Sequence, residues 1–123
     1  MGYRSDVAYK IKFGDAETMK LFLTEAKCKD ETKDAMTDGL VIDEDKLFIR
    51  FEANDVKWYD DYPEVQAHEE LLGLAKSYRD DHDKNLEYAF ARIGEELGDV
   101  DDYASDDGYH LVWISRQILF DED

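Results

Sequence analysis

Val7, Tyr9, Ile11 and Phe13 alternate with Ala8, Lys10 and Lys12, the period-two pattern of a strand that buries one face. Gly14-Asp15 breaks the alternation. Asp15 is placed to cap a helix, and Met19, Phe22, Leu23 and Ala26 then recur at helical spacing, so this helix is expected to lay an apolar stripe on the sheet. Residues 27–39 are mostly polar and read as a helix end, a loose turn and one short helical turn. Leu40-Val41-Ile42 and Leu47-Phe48-Ile49-Arg50-Phe51 flank the polar residues Asp43-Glu44-Asp45-Lys46, which predicts a hairpin. Asn54-Asp55 predicts a turn or bulge before Val56-Lys57-Trp58-Tyr59.

The second half repeats the helix-then-strand grammar. The only proline, Pro63, opens a run in which Val65, His68, Leu71, Leu72, Ala75 and Tyr78 share one helical face. Trp58-Tyr-Asp-Asp-Tyr-Pro63 reads as a structural junction: Trp58 is expected to pack the sheet edge, Asp60 or Asp61 to cap the helix, and Pro63 to fix its start. A charged loop, residues 79–85, leads to Leu86, Tyr88 and Phe90, which alternate as a strand. Residues 95–108 read as a long acidic connection, and Tyr109 to Phe120 as a final, most hydrophobic strand. The order is β-α-β-β-α-β-β. It predicts a single α+β domain, a two-layer sandwich with two helices on one face of a mainly antiparallel sheet, ferredoxin-like in topology with an extra strand.

Charge changes the picture more than size does. The chain of 123 residues carries 32 acidic and 15 basic side chains, a net charge of −17, and most of the excess lies beyond residue 60. Such a field disfavours direct binding to nucleic acid or to an anionic membrane, and favours a basic partner. Carboxylates of Asp80, Asp81, Asp83, Glu95, Glu96, Asp99, Asp101, Asp102, Asp106 and Asp107 are the candidate partner-binding residues, with Asp60 and Asp61 beside them. Closely set, they could approach the charge density of a nucleic-acid backbone, and steer a salt-sensitive association with a basic groove.

The remaining chemistry is sparse. Hard cations need converging oxygens, and Asp99-Val-Asp-Asp102-Tyr-Ala fails the calcium-loop pattern at its fifth and sixth positions, so no metal is expected. No zinc spacing, phosphate-binding loop or dinucleotide fingerprint occurs, and no cofactor is expected. His68, His82 and His110 with Ser5, Ser77, Ser105, Ser115 or Cys28 are the raw material of nucleophilic catalysis, but no spacing selects a pair, and the chain reads as a non-enzyme. His68 fits a core-edge position on the helix stripe. Cys28, the single cysteine, allows no internal disulfide and is expected to be a partly buried helix residue. That usage, the absence of an apolar leader at Met1-Gly-Tyr-Arg-Ser-Asp, and the lack of a membrane-length apolar segment predict a cytoplasmic protein.

Three strings, Met1-Gly-Tyr-Arg-Ser-Asp-Val7, Trp58-Tyr-Asp-Asp-Tyr-Pro-Glu-Val-Gln-Ala67 and Tyr88-Ala-Phe-Ala-Arg-Ile-Gly-Glu95, resemble a group of small, uncharacterised proteins of tailed bacteriophages. The resemblance implies expression inside an infected bacterial cell and brings no catalytic residue. Small acidic phage proteins as a class often disarm host nucleases by imitating nucleic acid. The expectation is therefore a phage accessory protein that binds and inhibits a basic host protein, such as a nucleic-acid-binding defence factor. The alternative is a structural or regulatory interaction domain without mimicry, using Trp58, Tyr59 and Tyr62 as its contact patch.

Overall fold

Alternation at the chain start becomes the centre of the sheet. In the computed structural model, which describes residues 3–30, 32, 35, 40–96, 98–105 and 111, the order is β1 (Ser5–Phe13), α1 (Ala16–Cys28), β2 (Leu40–Asp43), β3 (Phe48–Val56), α2 (Pro63–Asp80), β4 (Leu86–Gly94) and β5 (Val100–Ala104). The strands form one open antiparallel sheet in the order β2-β3-β1-β4-β5. The first four reproduce the ferredoxin-like arrangement, and β5 extends it beyond β4.

Both helices cover one face. Val7, Tyr9, Ile11 and Phe13 are buried; Phe13 meets Phe22 of α1 at 5.3 Å between ring centroids, and Tyr9 meets His68 of α2 at 5.6 Å. The predicted stripes of both helices are the buried ones. Asp15 caps α1, its carboxylate accepting from the Thr18 N–H at 2.7 Å, and that bond holds its carboxyl below the usual range. Cys28, however, is exposed. It follows Ala26 by two positions, about 200° around the helix, and so faces away from the stripe.

The hairpin forms as expected, with Asp43 Oδ1 accepting from the Asp45 and Lys46 N–H groups and Leu47 in the left-handed region at φ 61°. Of the turn or bulge expected at Asn54-Asp55, the structure has the bulge, and it lies inside β3. The β1–β3 register shifts there, Asp55 sits at φ 57°, and its N–H is taken up by the Asp6 carboxylate at 2.9 Å.

Two further expectations need correction. Neither Asp60 nor Asp61 caps α2: Tyr62 holds the cap position without a side-chain hydrogen bond, and Pro63 opens the helix. Proline at the first helical position makes residue 62 the cap, so both carboxylates stand out of register, while the Asp60 carbonyl accepts from the Gln66 side chain at 3.0 Å. The acidic connection also contains a strand, β5. Its side chains are mostly exposed because it is an edge strand, positioned by pairing Arg92 with Asp101 and Phe90 with Tyr103 across the ladder rather than by an apolar face. The strand expected over Tyr109 to Phe120 lies, apart from Leu111, outside the described residues.

Candidate functional site

Topology divides the candidate carboxylates into two groups. Asp80, Asp81 and Asp83 stand where α2 hands over to β4, whereas Glu95, Glu96, Asp99, Asp101 and Asp102 follow β4 back to the end where α2 begins. An α2 of 18 residues separates these ends by about 27 Å. Asp60 joins the second group, at one cleft with Asp99, Asp101 and Asp102. Asp61 lies one residue from it. Asp106 and Asp107 lie outside the described residues. In the first group, Asp81 accepts from the Ser77 hydroxyl at 3.2 Å, and Asp80 lies 3.8 Å from Arg79.

Within the second group, part of the charge is already used. Arg92 on β4 places Nη2 at 2.8 Å from Asp99 and 2.7 Å from Asp101, and donates through Nε to Asp101 at 3.0 Å and through Nη1 to the Ser5 hydroxyl at 3.0 Å. The hydrogen bond with Asp99, more than any other contact, holds the guanidinium above its ordinary pKa. Tyr3 completes the clasp: its hydroxyl donates to Asp99 and accepts the Glu96 N–H at 3.0 Å, and the bond to Asp99 pushes its own pKa up. The Arg4 N–H donates to the Glu95 carboxylate. Gly98 turns the β4–β5 connection at φ 91°, where a side chain would be strained. Asp99 and Asp101 thus fasten the edge hairpin to the chain start.

Asp60 and Glu69 have no such use, whereas Asp102, opposite Ala91, directs its side chain to the other face of the sheet from Asp101 and Tyr103. Together with Asp99 and Asp101, Asp60 and Glu69 rim a cleft of about 610 Å³ whose walls are Trp58, Tyr59, Phe90 and Tyr103. Phe90 and Tyr103 stack at 5.0 Å with an interplanar angle of 19°, leaving Tyr103 46% exposed. Trp58 is half-buried, with Phe51 at 6.1 Å and His68 at 5.7 Å. Tyr59 packs edge-on against Tyr62 at 5.2 Å and accepts the Tyr3 N–H at 2.7 Å. Glu69 is pushed up by partial burial, then by the charges of Asp60 and Glu70. Burial, followed by the Glu69 charge, pushes Tyr103 up to about 12.

Glu69, Arg92, Tyr103 and Tyr3 were missing from the sequence reading. Glu69 is one of many outward acids on α2, and nothing local marks it. Arg92 and Tyr103 are set by the ladder and not by a local turn signal: a two-residue turn at Gly98-Asp99 would put Arg92 opposite Ser105, whereas the connection over residues 95–99 puts it opposite Asp101, and nothing local marks Tyr3.

His68 takes the core-edge position expected of it. It is 3% exposed, its Nδ1 and the Tyr9 hydroxyl lie 2.6 Å apart, and burial pushes its pKa down to about 4. Among the described residues no histidine ring hydrogen-bonds a serine or Cys28. Ser5 serves Arg92, Ser77 serves Asp81, and the Ser105 oxygen accepts the Tyr88 N–H at 2.9 Å. His110 and Ser115 lie outside the described residues. No three metal-binding side chains converge among the described residues, and no helix of the structure is long and apolar enough to cross a membrane. Comparisons with family models, curated proteins and solved structures found no match to this chain.

Proposed function

We propose that this protein is a non-enzymatic binder that captures a basic protein through the acidic end of its sheet. The observation that carries the reading is the cleft beside β5, where Asp60 and Glu69 crowd against aromatic walls and form no ion pair among the described residues. A net charge of −17 makes encounter with a basic surface fast and salt-dependent. The phage-protein resemblance sets the proposed context: an accessory protein in the cytoplasm of an infected bacterium, inhibiting a host nucleic-acid-binding defence factor by occupying its basic groove. Because the two acidic groups stand at opposite ends of α2, the contact imitating nucleic acid is the Glu95–Asp102 end with Asp60 and Glu69. The carboxylates of Asp80, Asp81 and Asp83 contribute only to the general field.

A second reading is favoured by a separate observation. Tyr62 and Tyr103 are exposed and Trp58 and Tyr59 half-exposed at that same end, a patch suited to a structural or regulatory contact without mimicry. Salt separates the two. A bound host protein recovered from bacterial lysate is titrated against this protein at 50 and 200 mM salt. Mimicry predicts a loss of affinity of about a hundredfold or more, as for a ligand replacing several phosphates. An affinity indifferent to salt rejects it in favour of the aromatic contact.

A further inference from the structure

We infer that the cleft is the seat of one arginine side chain from the partner, its guanidinium lying on the Tyr103 ring beside the carboxylates of Glu69 and Asp60. This rests on the basic-partner reading above and narrows it to a chemical group. Carboxylates alone would make only a charged surface; the aromatic wall adds ligand chemistry. Tyr103 lies flat on Phe90 at 5.0 Å and remains 46% exposed, so one face is fixed by packing while the ring still reaches the cleft. A cation over such a face gains from the ring quadrupole as well as from nearby carboxylates. Guanidinium is planar, more weakly hydrated than ammonium, and donates in a fork that matches carboxylates, which favours arginine over lysine.

The cleft shows this chemistry with a group of its own. Arg92, beside Phe90, is held by Asp99 and Asp101 at 2.8 and 2.7 Å, so one pair of rim carboxylates is satisfied internally. Glu69 and Asp60, close enough to repel each other, have no corresponding cation among the described residues, and a second guanidinium would supply it. A cleft of about 610 Å³ has room for such a side chain.

The test titrates the full-length protein with acetyl-Gly-Arg-Gly-amide and with its lysine counterpart, following backbone and tyrosine-ring signals by NMR. An arginine seat predicts saturable shifts at Glu69 and Tyr103, an affinity at least several-fold tighter for the arginine probe, and a loss of about tenfold in Glu69→Gln. Tyr103→Leu, at an exposed edge position, should erase the preference for arginine over lysine while the other signals report an intact fold. Equal affinities for the two probes, or shifts as large at Asp80, Asp81 and Asp83 as at the cleft, overturn the arginine seat. If either occurs while the host partner still binds with steep salt dependence, the basic-partner reading survives; if that salt dependence is absent, both fail.

Discussion

His68 shows how much one buried residue decides. Its ring packs 4.1 Å from Phe51 and shares a hydrogen bond with Tyr9, both inside the core. Burial lowers its pKa to about 4, so the unfolded chain, with a value near the ordinary 6.5, takes up the proton first. Its contribution is full above pH 6.5 and is lost as pH falls towards 4, on the order of 3 kcal/mol in all. Urea unfolding of the native protein and His68→Gln at pH 7 and pH 4.5 should show the native protein losing ground to the variant at the lower pH. Parallel curves would mean that the ring does not titrate in this range. A second residue-level outcome concerns Cys28, which is exposed at the end of α1. It should react with a thiol reagent in the folded protein at close to its rate in denaturant, whereas strong protection would contradict its position.

Elements were legible where one periodic face meets one buried layer. β1 repeats an apolar residue at every second position and α2 at helical spacing, and both patterns report contacts with the same core. β5 was not legible because its placement depends on partners in another strand. Asp101 lies opposite Arg92 and Tyr103 opposite Phe90, while its own string looks only acidic. The α2 cap was misread by a single step of register, which composition does not resolve. The cleft was hidden for a further reason: Tyr3, Trp58, Glu69, Arg92 and Tyr103 come from separate segments, and Tyr3 and Asp99 are 96 positions apart. The β4–β5 clasp makes a direct prediction. Arg92→Ala strands Asp99 and Asp101 beside each other with their shared donor gone, and should cost about 2 kcal/mol, with faster hydrogen exchange concentrated in Val100–Ala104. A loss of stability spread evenly over the sheet would show that the clasp is not local.

At the scale of the molecule, excess charge works against compactness as well as for encounter. Self-repulsion in a chain of net charge −17 should ease as salt screens it, so the melting temperature should rise between 20 and 200 mM salt, even as partner affinity falls. Charge total and charge location then make different claims, and the structure separates them by dividing the carboxylates between two ends. The most direct test compares two variants of identical net charge, Asp60→Asn/Glu69→Gln at the cleft and Asp80→Asn/Asp81→Asn at the far end of α2. Affinity for the basic partner, measured at 100 mM salt, should fall at least tenfold in the cleft variant and change less than twofold in the other. Equal losses in both variants would mean that binding follows the overall charge and that the cleft is not where the partner is held.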